Sequence, residues 1–242
     1  MSSSRTDPSS TTGSSTSSRS PGERATRLAV IACGAIAHPC AEAVARRGWP
    51  VDVFPLPPLL HNQPGRIAGE VERLAHDLAS TYASVAVGYA DCGTYGALDE
   101  VCGRLGLARL PGLHCYDLYA GPERVQALFE DQPGTYLLTD FLVRSFDRTV
   151  VKELGLDRHP ELLGEYFGNY TRVVWLSASP DEELRSLAKQ CADFLGLPLQ
   201  TVETGHSGLE RSLGLLVEAA LTGPARHAPD THAATPRSRR PG

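Results

Sequence analysis

Seven short apolar runs alternate with stretches of helical composition along this chain, and that alternation constrains the fold more than any other feature of the sequence. The runs lie at 28–32, 51–54, 84–89, 108–111, 134–139, 171–176 and 199–203. Between them, 39–47, 66–81, 122–129, 180–195 and 208–221 read as helices; in 66–81, Ile67, Val71, Leu74 and Leu78 recur at helical spacing. Helical segments also fill 140–154 and 160–167. Strands joined by helix-length connections imply right-handed crossovers. The pattern predicts a single α/β domain with a mostly parallel sheet of about six or seven strands and helices on both faces.

Both ends differ from this middle. Residues 1–25 are dominated by Ser, Thr, Pro and Gly, and 223–242 by Pro, His, Ala and Arg, without apolar periodicity. They are expected to be disordered tails around a domain at 26–222. Of the formal charge of −5 over 242 residues, the two ends contribute +1 and +3, which leaves −9 in between. That is a poor footprint for nucleic acid. With no apolar leader and no run of eighteen apolar residues, the chain is expected to be cytoplasmic and to take no membrane as partner. Six cysteines in such a compartment point to thiol or metal chemistry rather than to disulfides.

Three of those cysteines share a place in the pattern. Cys33, Cys92 and Cys115 each follow an apolar run and precede a helical one, so a parallel sheet sets all three at its carboxyl edge, where ligands collect in open α/β folds. Converging there, they are able to hold Zn(II) with one position open, or three irons of a four-iron cluster. The alternative is that each packs as a small buried hydrophobe. Core packing is the reading for Cys40, Cys102 and Cys191, which lie inside helical runs.

His38 and His114 stand beside these cysteines as candidate ligands, acid/base groups or orienting partners, or as exposed or capping residues. Asp91, Asp117 and Asp140 flank the same strand ends and are candidates to orient a ligand, or helix caps. Thr139 ends the fifth run, and Gly205 and Ser207 lie in a Gly-containing turn suited to presenting backbone N–H groups; these three are the candidates for holding a small ligand. No dinucleotide fingerprint, phosphate loop, His-Glu-x-x-His helix or Cys-x-x-Cys pair occurs.

In Ala32-Cys33-Gly34, Gly88-Tyr89-x-x-Cys92, Cys115 followed six residues later by Gly121, and Pro133-Gly134-Thr135-Tyr136-x-x-Thr139, the chain resembles an uncharacterised prokaryotic family, domain of unknown function 1638. The resemblance runs over most of 28–220. Where family members often carry a histidine and then an aspartate before the third cysteine, this chain has Leu113 and His114. The resemblance implies a metal or cluster held by the cysteines. Through the company its relatives keep, it also implies a link to corrinoid-dependent methyl transfer, with a methyltransferase as partner; a cobalt-ligating Asp-x-His-x-x-Gly motif is not found here.

The leading expectation is a metal- or iron–sulfur-binding protein, with Cys33, Cys92 and Cys115 around one centre, acting on a small polar molecule. The rivals are a non-catalytic accessory protein for methyl transfer and a metal-free thiol enzyme using Cys33 or Cys92. The separation of the three sulfurs decides among them: thiolates on one zinc each lie ~2.3 Å from it.

Overall fold

In the computed structural model, which describes residues 19–222, ten α-helices and six strands follow one another in the alternating order that the sequence predicts. The first half comprises α1 (Pro21–Arg24), β1 (Leu28–Ala32), α2 (Ala37–Arg47), β2 (Val51–Pro55), a 3-10 turn at Pro58–Asn62, α3 (Ile67–Ala79), β3 (Ser84–Gly88) and α4 (Ala97–Leu105). Two linking helices follow, α5 (Cys115–Ala120) and α6 (Pro122–Asp131). The second half holds β4 (Thr135–Thr139), α7 (Asp140–Phe146), α8 (Leu163–Phe167), β5 (Arg172–Ser177), α9 (Glu182–Leu195) and β6 (Leu199–Glu203), and α10 (Ser207–Thr222) ends the described chain.

All pairings are parallel, as expected, but the expected single sheet is two sheets of three strands, ordered β2-β1-β3 and β4-β5-β6. The run at 108–111 explains the break. It makes only an isolated bridge from Arg109 to Val87, and the next residue but one is Pro111, which has no N–H to continue a ladder. The first sheet therefore ends there, and α5 and α6 carry the chain away before β4 starts another. The helix expected over 140–154 also changes character: α7 stops at Phe146, and Asp147–Lys152 winds as a π-helix.

Every residue of β1 and of β5 is buried, so both central strands are covered on both faces. In the first half, α3 packs with α4 and α2 packs with α10, which returns from the far end of the chain to lie on β1 and β3. Such a return demands close approach. A Cβ on Gly208 of α10 would come within 2.7 Å of the Leu118 carbonyl oxygen of α5. The helix α5 joins the halves: Cys115, Leu118 and Tyr119 face the first core, while Tyr116 and Ala120 pack on a cluster that includes Leu137, Val174 and Val202 of the second sheet. Their spacing of three and four residues is that of a single helical face.

Within the stretch expected as an amino-terminal tail, Pro21–Arg24 forms a helical turn capped by Ser20, and Arg19 pairs with the buried Asp52, which also binds Arg27 and the Tyr82 hydroxyl. Residues 1–18 and all of 223–242 lie outside the described residues.

Candidate metal centre

Four segments far apart in sequence deliver their side chains to one spot. Cys33 is the first residue past β1; its N–H still bonds to Gly88 O (3.0 Å), and its carbonyl accepts from Ile36 N (2.9 Å), which turns the chain into α2. The second is Cys92, just past β3, whose N–H bonds to Leu113 O (2.7 Å) while Asp91 N–H bonds to Gly112 O (3.0 Å). Those two bonds lace the β3 loop to the segment that opens α5, and so bring Cys92 to Cys115, the first residue of that helix. The Cys92 and Cys115 sulfurs are 3.4 Å apart. Cys92 holds a left-handed backbone, φ 51°, which few side chains adopt without cost.

The fourth contributor is His61, on the 3-10 turn of the Pro-rich loop after β2. A ligand atom of His61 and the Cys33 and Cys115 sulfurs all lie within 4.8 Å of one another. Gly34 makes this docking feasible, because a Cβ there would meet Leu56 O at 2.4 Å and Pro58 Cγ at 2.7 Å. The sequence analysis gives His61 no role; its signal is a histidine following the strand beside β1, behind a glycine that lets the loop close.

Burial alone would raise all of these thiols, and the cluster overrides it for two. Hydrogen bonding from Cys115 lowers Cys33 and Cys92, with His61 reinforcing the effect on both, while Cys115 itself is held well above the ordinary thiol value by the same two contacts. His61 is raised, chiefly by its contact with Cys33. The two contacts thus push Cys33 towards its thiolate and His61 towards its charged form. The other cysteines behave as expected of core residues: burial pushes Cys40 up to about 12, and Cys102 and Cys191 up to about 11.

His61 Nδ1 and the Tyr89 hydroxyl are also buried at this spot, and Tyr89 is held above the ordinary phenol value by burial and by Cys33. The donor set suits one metal ion, with two sulfurs and an imidazole nitrogen gathered within 4.8 Å of one another. Thiolate and imidazole together suit zinc and other borderline-soft ions.

His61 and Cys115 also line a cavity of about 160 Å3 whose other walls include Tyr116, Tyr119, Tyr136, Thr139 and Phe141. It shares Ala35, Tyr119 and Phe141 with a wider chamber of about 560 Å3, bordered by His38, Arg46, Asp140, Arg144 and His206. Both open between the two halves, at the carboxyl ends of their strands, as expected for an α/β ligand site.

The remaining candidates fall around this cleft in other duties. His38 has its side chain 82% exposed beside Glu42 and borders the wide chamber. Asp91 accepts from the Thr94 hydroxyl and from the N–H groups of Tyr95 and Gly96, and Asp117 from those of Leu113 and His114, so both brace the loops that carry the cysteines. His114 stands at the N-cap of α5. Asp140 accepts from Trp175 Nε1 (2.8 Å) and Ala178 N (3.1 Å). Thr139 caps α7 and borders the small cavity. Gly205 and Ser207 flank His206 at the start of α10, next to the wide chamber.

No curated protein matches the chain. The model of one family, described as a protein of unknown function (DUF1638), matches residues 55–213, a span that includes His61, Cys92 and Cys115 and begins after Cys33. The chain belongs to the DUF1638 family.

Proposed function

We propose that this protein binds a single zinc ion through Cys33, His61 and Cys115, and is an enzyme acting on a small polar molecule in the cleft between its halves. The observation that carries this reading is the convergence of those three side chains within 4.8 Å in and behind the wall of a cavity. Because His61 and Cys115 border the cavity, an ion held by them and Cys33 would be within reach of a ligand there, as a catalytic rather than a structural zinc is. Cys92 then supports the centre by donating its S–H to the Cys115 sulfur. A mononuclear ion suits the spacing better than an iron–sulfur cluster, whose thiolates each bind a separate iron and must stand apart by the cluster's width.

When bound, the ion supplies Lewis-acid polarisation of a small ligand. The chain's own residues supply the rest. Tyr116, Tyr119, Tyr136 and Phe141 give the small cavity an aromatic wall that limits both ligand size and water, and no Lys, Arg, Asp or Glu lines it. The charged residues stand in the wider chamber, where Arg46, Arg144 and Asp140 meet whatever part of the ligand projects from the centre.

Electrostatics also suit a metal-free thiol nucleophile at Cys33, since His61 favours its thiolate. Access argues against it: Cys33 is fully buried and is not in the wall of either cavity. Metal analysis of protein purified under reducing conditions separates the readings. One zinc per chain, lost on Cys33→Ser, Cys115→Ser or His61→Ala, is expected. A metal-free wild-type protein, or unchanged zinc content in the Cys33→Ser and Cys115→Ser variants, overturns the proposal.

A further inference from the structure

We infer that the substrate of this site carries an oxyanion group, a carboxylate or a phosphate, and that the wide chamber holds that group between Arg46 of the first half and Arg144 of the second. Calling the ligand a substrate rests on the zinc reading; the anion site rests on the chamber itself.

The two cavities adjoin at Ala35, Tyr119 and Phe141 and differ in size. The small one, about 160 Å3, has room for little more than a head group, whereas the chamber, at about 560 Å3, is of the size that takes a whole small molecule. Helical spacing brings charge to it from both halves. His38 and Arg46 lie eight residues apart on α2, and Asp140 and Arg144 four apart on α7, so each pair shares a face of its helix. The sign of the ligand follows from which of these groups the fold already uses. Asp140 spends one carboxylate oxygen on Trp175 Nε1 (2.8 Å) and the other on the Ala178 N–H (3.1 Å). Asp181 accepts from the Leu184 N–H (2.7 Å) as the cap of α9, and Glu42 is exposed beside His38. The guanidiniums are used far less. Among the described residues, Arg46 reaches Glu210 at 3.4 Å, a carboxylate that Arg47 also binds, and Arg144 approaches Asp181 at 3.8 Å, beyond hydrogen-bond length. Each guanidinium has five N–H donors, and the two side chains are 45% and 50% exposed. Two forks with donors to spare on one chamber, where two of the three carboxylates are already engaged, select an oxyanion, which such forks bind in a bidentate way. Because the arginines come from different halves, the bound anion also ties the halves together.

Succinate and glycerol 3-phosphate serve as probes, with glycerol as the uncharged control; their binding to the full chain is measured by calorimetry at low salt, and zinc content on the same preparations. Wild-type protein is expected to bind at least one of the two anions and not glycerol, and the tighter of the two tells carboxylate from phosphate. Arg46→Gln and Arg144→Gln are each expected to weaken that binding by about 10–100-fold with zinc content unchanged. Arg185→Gln, on α9 and outside the chamber, binds as the wild type does. Arg46→Lys and Arg144→Lys keep the charge and lose the fork; they fall between wild type and the glutamine variants, and cover the case in which a glutamine variant folds poorly. No binding of either anion by the wild type, or binding unaltered in the variants of both arginines, overturns the inference and leaves the metal centre standing. Anion binding by wild-type protein that proves metal-free upholds the chamber as an anion site and overturns the zinc reading alone.

Discussion

In the first half of the molecule, the loops that follow β1 and β3 present Cys33 and Cys92, and the loop after β2 presents His61. In the second half, the junction of β4 with α7 presents Thr139 and Asp140 and the loop after β5 presents Ala178-Ser179, and neither presents any residue of the compact thiol–imidazole group. Three parallel strands underlie each, with the central strand buried on both faces. The same scaffold therefore places a soft donor set on one side of the cleft and hydroxyls, carboxylates and peptide groups on the other. The contrast separates duties: the first half is built to hold an ion, the second to wall the space in front of it. Only α5 belongs to both, and it begins with Cys115.

This division can be broken by substitutions on each side. The largest effect is expected from the ligands. If the ~10–16 kcal/mol typical of structural zinc is shared among four positions, losing Cys33, Cys115 or His61 costs roughly 3–4 kcal/mol, about two to three decades in zinc affinity, as read by competition with a chelator. Next comes Asp140→Ala in the second half. It strands the buried Trp175 indole N–H and the Ala178 N–H, and should cost roughly 2–3 kcal/mol in denaturant unfolding while zinc stoichiometry stays at one. Loss of zinc in that variant would show that the halves do not divide their duties in this way.

Cys92→Ser sharpens the boundary within the first half. As a supporting group beside Cys115 rather than a ligand, it should lower zinc affinity by about 10–100-fold without abolishing binding. A loss as large as that of Cys33→Ser would instead make Cys92 a ligand and close the fourth position. The smallest effect belongs to Cys191→Ala, in α9 of the second half, where burial holds the thiol protonated against the Val143 carbonyl. About 1 kcal/mol of stability and no change in zinc content are expected there.

The six cysteines show how far sequence position alone carries this division. Those at strand ends separate from those within helices, and the structure preserves the distinction: Cys33 and Cys92 are lowered by their neighbours, and Cys40, Cys102 and Cys191 are raised by burial. Cys115 belongs with the first group by position and differs by being the proton donor to the other two. His61 could not be found in the same way, because it sits on a 3-10 turn whose approach depends on the missing side chain of Gly34.

What the sequence by itself determined are local matters: the alternation of strands and helices, the parallel connections and the placing of Cys33 and Cys92 where strands run out, whereas Cys115 opens α5 after a run that forms only a bridge. These follow from periodicity and from chain lengths, which act between near neighbours. Only the tertiary structure decided that the strands divide into two sheets, that α10 returns to the first of them, and that Cys33, His61 and Cys115 meet. Those outcomes turn on which edges pair and which loops dock, and such choices depend on contacts between residues tens of positions apart: Val87 with Arg109, Gly34 with Leu56 and Pro58, Gly208 with Leu118.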